Sequence, residues 1–271
     1  MIFGKKYGDR IKSIAAGPPL KEGDRMDTDQ LKLYRGSPVS ICDGIELHIP
    51  TLDEICSYGE DKYYSMVHML CSTGIDLCWQ LEEMGIPFDE ISDYLLFCQI
   101  LRRQYTSDDT RILFGDQPDL SAMELYVDEN SHIFLFQPYD DGSIIINEDV
   151  YLRLVTMLRK IHGLKRDDRV AGTKSCRIAF IEDAKMEYEA RKNEPSKSTL
   201  LQMVSTMTNM EGFKRDDTTV WAMNIYAFMD SVKRIAKIRN STLLMQSGYS
   251  GFGVDLNKIK QEELNYMGEL S

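Results

Sequence analysis

Histidine is scarce in this chain, with four in 271 residues: His48, His68, His132 and His162. Little material is left for imidazole acid–base chemistry. His68 and Cys71 stand three apart on an expected helix, but a tetrahedral metal site needs two more ligands. Cys78 lies seven residues on with nothing to pair it, so both residues are read as packing. The six cysteines, Cys42, Cys56, Cys71, Cys78, Cys98 and Cys176, include no C-x-x-C pair. Their irregular spacing opposes a disulfide framework. Most sit among apolar neighbours, as in Leu70-Cys71 and Phe97-Cys98, which fits free thiols in a reducing compartment.

Long apolar runs are missing too. Nothing approaches the roughly 18 apolar residues that a membrane-spanning helix needs. Met1-Ile2-Phe3-Gly4-Lys5-Lys6 has no apolar stretch behind it, so no signal peptide is expected and the protein should stay where it is made. There is no G-x-S-x-G and no Cys–His pattern marking a nucleophile. The one glycine-rich stretch, Gly248 to Val254, follows a helical pattern rather than a strand and lacks Gly-Lys-Ser/Thr. It reads as a compact turn with Tyr249 and Phe252 packed back on the helix, or as a partner-contact loop, rather than a phosphate cradle. Asp140-Asp141-Gly142 lacks the alternating ligands of a calcium loop and reads as a turn. No cofactor and no metal are expected.

What is abundant is negative charge. The formal net charge is −11 and the isoelectric point about 4.9. Phosphates would be repelled, so neither nucleic acid nor an anionic membrane is an expected partner. Hydrophobic residues make up 43% and aromatics 10%, the composition of a folded globular chain rather than a disordered one.

Residues 1–30 are polar, carry Gly17-Pro18-Pro19, and read as an arm that orders on a partner. Leu31 to Arg35 alternates apolar and polar, a strand pattern. Ile41 to Leu47 centres on Asp43-Gly44, which predicts a hairpin of type I′. Thr51-Leu52-Asp53-Glu54 fits a capping box opening a helix that runs to Gly59. Tyr63, Tyr64, Val67, Leu70 and Cys71 share the next helical face, and Leu77, Cys78, Leu81 and Met84 continue it. Asp89 is the expected cap of a helix bearing Ile91, Tyr94, Leu95, Cys98 and Leu101. Met123–Val127, His132–Phe136 and Ile144–Ile146 read as short strands joined by turns at 128–131 and 140–142.

Beyond these strands the pattern is helical. Asn147 caps a stripe of Val150, Leu154, Met157, Leu158 and Ile161 that Gly163 ends. A polar helix over 174–193 has a narrow seam of Ile178, Ile181, Ala184 and Tyr188, with Glu187 and Arg191 as an i,i+4 pair. Pro195-Ser196 restarts the chain into a helix with Leu200, Leu201, Val204 and Met207. Trp221, Ile225, Phe228, Val232 and Ile235 mark a helix after Asp217. Its far end carries Lys233, Arg234, Lys237 and Arg239, read either as complements to the helix dipole or as a contact for an acidic partner. Gly163–Asp168 and Gly212–Asp217 are near-repeats, read as shared helix-end chemistry. The fold class predicted is α+β, mostly helical, with a small N-terminal β-hairpin region and a short β insertion in the middle. The expected organisation is an arm at 1–30, a mixed α+β domain at 31–146 and a helical domain at 147–271, or one continuous domain.

The segment Trp221–Leu270, "WAMNIYAFMDSVKRIAKIRNSTLLMQSGYSGFGVDLNKIKQEELNYMGEL", and the segment Leu47–Leu70, "LHIPTLDEICSYGEDKYYSMVHML", resemble proteins of tailed bacteriophages and gut prophages. Those proteins are taken to be tail assembly chaperones or related tail morphogenesis factors. The resemblance implies a non-enzymatic tail assembly protein, a chaperone binding the tape-measure protein or a tail, connector or baseplate subunit of the virion. It implies other phage tail proteins, tape-measure or tube, as partners, a location in the host cell cytoplasm or the virion, and leaves homo-oligomers open. It supplies no catalytic residue. Partner-contact candidates read from the residues are Lys233, Arg234, Lys237, Tyr249 and Phe252. Fifteen methionines, among them Met203, Met207, Met210, Met223 and Met229, suit helix-in-groove recognition where they reach a surface. The rival reading is an enzyme whose site is assembled from dispersed carboxylates.

Overall fold

The computed structural model describes residues 26–129, 131–139, 142–194, 197–250, 253–268 and 270. Residues 1–25 of the expected arm, Asp140, Asp141, Pro195, Ser196 and Phe252 lie outside the described residues.

The described residues begin with helix α1 (Met26–Arg35), where alternation over 31–35 predicted a strand. Its last turns bury Leu33 completely and expose Leu31 and Tyr34. A five-residue alternation with one buried position fits either element, and packing against the next strand and the longest helix decides it. Strands β1 (Val39–Cys42) and β2 (Ile45–Leu47) form the predicted hairpin. Only Gly44 of its Asp-Gly turn has positive φ, at 82°, so the turn is not type I′, which needs positive φ at both positions. A register shift between Ser40 and Cys42 accommodates it.

Thr51 and Glu54 form the full capping box of α2 (Leu52–Tyr58), and α3 (Glu60–Cys71) follows at Gly59. After α4 (Cys78–Glu83), the cap of α5 (Asp93–Gln99) is Ser92, not Asp89. Asp89 instead accepts from Arg177 at 3.2 Å. A helix unforeseen in the sequence, α6 (Ser107–Phe114), starts at a second capping box made by Thr106 and Asp109. Strands β3 (Glu124–Val127), β4 (Ile133–Tyr139) and β5 (Gly142–Ile146) form an antiparallel sheet in that order.

Asn147 caps α7 (Glu148–His162) and Gly163 closes it in the left-handed region. The polar helix is α8 (Lys174–Arg191). Of its expected seam, Ile178 and Tyr188 are exposed, while Ile181 and Ala184 face the core together with Phe180, which the seam did not include. It is fastened to α4 largely by polar contacts: Arg177 to Glu82, and Lys185 to Glu83 at 2.9 Å. Helix α9 (Thr199–Thr208) buries Leu200, Val204 and Met207 but leaves Leu201 exposed. The long helix α10 (Ile225–Tyr249) begins at Asn224. Trp221 belongs to a preceding 3-10 turn, because the backbone at 223 and 225 is bonded to residues 50–52 (Leu52 N to Met223 O, 2.9 Å; Ile225 N to Pro50 O, 2.8 Å). A short α11 (Gln261–Leu264) is the last helix among the described residues.

With about 55% helix and 11% strand in two small antiparallel sheets, the protein is α+β. Core residues run continuously across residue 147, from Leu33 and Ile45 through Tyr63 and Phe97 to Tyr151, Val204 and Phe228. Among the described residues no helix is long and apolar enough to cross a membrane.

Candidate partner groove

Helix α9 is set by Ser198, whose hydroxyl accepts from Leu201 N. The carboxylate of Glu60, on α3, binds the Ser198 hydroxyl and accepts from Leu200 N at 2.8 Å. This anchor turns Leu200, Val204 and Met207 inward. It leaves Met203 and Met210 half-buried on the flank that faces α10. From α10 the residues Val232, Ala236, the adjacent pair Arg239 and Asn240, and Leu243 come forward every 3 to 4 positions, one helical face. Between the two helices lies a groove of about 590 Å³, lined by these side chains and by Thr199, Gln202, Thr206 and Met207. Its floor is methionine and aliphatic; its edges are Thr, Gln and Asn with one cation, Arg239. The lining includes no carboxylate, imidazole or thiol. The groove is thus apolar at its base and polar at its edges, with none of the side chains that usually move a proton.

The sequence-predicted contacts fall elsewhere. Lys233, Arg234 and Lys237 are not at a helix end, since α10 continues to Tyr249. The dipole explanation therefore does not apply to them. Arg234 points to the side of α10 opposite the groove and donates to the carbonyls of Tyr266 (2.9 Å) and Gly268 (2.7 Å). Ser241 on the same side donates to Glu263 O at 2.6 Å. Together they hold the C-terminal segment along the helix. Lys233 is exposed beside the groove ridge and Lys237 is half-buried. Tyr249 is 83% exposed rather than packed back, and Phe252 lies outside the described residues. The four described candidates do not converge. The groove was traceable only through Met203, Met207 and Met210, whose i,i+3/i+4 spacing did not say which neighbour would leave them uncovered.

Titratable groups elsewhere are mostly structural. Burial pushes the thiols of Cys42 and Cys98 up to about 11 and that of Cys71 up to about 12, which keeps them protonated and unreactive. Cys71, Cys78 and Cys98 are buried, Cys42 and Cys176 half-buried and Cys56 exposed; all six are free. Among the described residues no group of three or more His, Cys, Asp or Glu side chains is placed to hold a metal. No protein-family model, no curated protein and no solved structure matches this chain.

Proposed function

We propose that this chain is a non-enzymatic phage tail assembly protein, a chaperone that holds an apolar ridge of the helical tape-measure protein in the α9–α10 groove. The supporting observation is the groove, whose floor carries three methionines. An unbranched, polarisable side chain with three rotatable bonds repacks against varied apolar shapes. A chaperone that slides over successive turns of a long helix needs that tolerance. Helix-in-groove docking places residues i, i+3, i+4 and i+7 of the partner into such a channel. Arg239 and Lys233 at its edge meet acidic positions flanking the ridge. One wall, α10, lies within the segment whose sequence resembles tail assembly proteins. Release follows as tube subunits cover the same ridge.

The test is co-purification of the tape-measure protein with the full chain and with Met203→Glu and Leu243→Glu. Leu243 is 61% exposed, so its variant should stay folded. Recovery is expected to fall about tenfold or more, the effect of ~1.4 kcal/mol. Wild-type recovery in both variants would remove the groove from the reading. Peptide counting in purified particles and infected-cell lysate should find the chain in lysate and not in particles. A fixed symmetric copy number in particles would replace the chaperone with a virion subunit.

A further inference from the structure

A second surface lies on the three-stranded sheet, remote in sequence from the groove. Leu135, Ile144 and Ile146 of that sheet point into the core. Side chains alternate along a strand, so Tyr126, Phe134, Phe136 and Ile145 share the opposite face. The register sets Tyr126 against Phe134 and Phe136 against Ile145. The rings interlock, Tyr126 stacking on Phe134 at 5.9 Å and meeting Phe136 edge-on at 5.6 Å. Phe134 is buried, yet it stands outside the main core. Beside it opens a cleft of about 450 Å³, floored by Tyr94, Leu95, Ile133, Phe134 and Ile145.

The rim of this apolar surface is acidic. Asp128, Glu148 and Asp149 line the cleft, and Glu124 accepts from the Tyr126 hydroxyl at 2.5 Å on the sheet. His132 already pairs with Asp128 at 3.0 Å. Glu148 and Asp149 form no ion pair among the described residues. Aromatic faces within a ring of carboxylates favour a cationic segment that is also apolar.

The chain carries such a segment. Within a protein of net charge −11, residues 1–16 hold Lys5, Lys6, Arg10 and Lys12 against Asp9 alone. The cations are interleaved with Ile2, Phe3, Tyr7, Ile11 and Ile14. We infer that residues 1–16 dock in cis on the aromatic face of the β3–β4–β5 sheet, with their cations at the carboxylates of the cleft. The tether suits this. Helix α1 packs on β1, and the turn of that hairpin, at Gly44, lies against Ile144 and Tyr139 on the core face of the same sheet, so the tether has to pass around the sheet edge to reach the aromatic face. Residues 17–25 span about 30 Å when extended, at ~3.3 Å each.

Zero-length carbodiimide cross-linking of the full chain tests this, using an equal mixture of unlabelled and ¹⁵N-labelled protein. The expected products join Lys5, Lys6 or Lys12 to Glu124, Asp128, Glu148 or Asp149, always within one isotope. Cross-links scattered over other carboxylates, or none from these lysines, would overturn the assignment. Mixed-isotope products would overturn docking in cis and make a second copy the occupant. The full-length quadruple variant K5E/K6E/R10E/K12E changes only this segment, so it leaves the core intact. Its β3 amides should exchange with solvent several-fold faster than in wild type; unchanged exchange would also overturn the inference. Neither experiment reads the α9–α10 groove.

Discussion

His162 is almost wholly buried, and its hydrogen bonds define its state. Its Nδ1 lies 2.7 Å from Leu158 O, a carbonyl that only accepts, so that nitrogen carries the hydrogen. Nε2 therefore accepts from the Tyr63 hydroxyl at 2.6 Å. Burial depresses its pKa from 6.5 to about 4, since a cation here would lose its water and the Tyr63 bond. Because the folded value is the lower one, the unfolded chain binds the extra proton. Stability is full above about pH 6.5 and is lost as pH falls toward 4, by ~3 kcal/mol at most. Urea titrations between pH 7 and 4 should show this decline, and His162→Leu should flatten it. An equal slope in the variant would place the effect elsewhere. Asp109 acts lower on the scale: its bonds to Lys62 and Thr106 hold it at about 2, so its contribution is lost only below the usual carboxylate range.

At the scale of elements, Gly248 shows how one position ties two segments together. It lies inside α10, where glycine costs about 0.5–1 kcal/mol relative to alanine. A Cβ there would stand 2.3 Å from Leu256 Cγ, so the returning chain needs the missing side chain. Gly248→Val should detach Leu256 and speed proteolysis of the segment after residue 253, with little change in melting temperature, since α11 is exposed apart from the half-buried Leu264. Proteolysis at the wild-type rate would show that the contact at Leu256 does not hold this segment.

The same scale shows what could be read from sequence. Helix starts written in local chemistry were legible, as at Thr51 and Asn147, because the cap side chain bonds within three residues of itself. The Asp-Gly hairpin and the middle strands were legible for the same reason. Thr106-Ser107-Asp108-Asp109 carries the same chemistry less legibly, since Asp at the fourth position is a weaker signal than Glu and the helix behind it is short. Choices made by distant partners were not legible. The strand pattern at 31–35 became a helix through packing on β1 and α10. The start of α10 moved to Ile225 because Pro50 and Leu52 claim the backbone before it. Arg102 is wholly buried, donating to Cys98 O at 2.7 Å and Leu120 O at 2.6 Å. An arginine is ordinarily the last residue expected inside. The groove belongs with these, for it depends on what α9 and α10 leave uncovered.

Across the whole molecule, the contacts spanning residue 147 bear on whether two halves unfold separately. Bonds at Leu52–Met223 and Pro50–Ile225 join the N-terminal elements to the start of α10. Asn224 donates to Tyr34 O at 3.1 Å, Tyr63 meets His162, and Arg166 donates to Asp93 at 2.8 Å. Apart from the exposed Arg166–Asp93 pair, each is buried or flanked by the shared core, so opening either half exposes apolar surface on both. The two tryptophans sit at separate junctions of this kind. Trp79 of α4 packs on Tyr188 of α8 at 5.2 Å between centroids, and Trp221 precedes the backbone segment bonded to residues 50–52. Trp79→Phe leaves Trp221 as the sole indole reporter, and Trp221→Phe leaves Trp79. In urea, both single-tryptophan chains should unfold cooperatively, each with fluorescence coincident with its own loss of helical circular dichroism. Such coincidence is the mark of one unit. If Trp79 fluorescence changes well before the helical signal, α8 is a separately stable layer held to α4 by exposed ion pairs, which are individually weak. If Trp221 changes early, the 50–52 junction opens first, and the division near 147 is a true domain boundary.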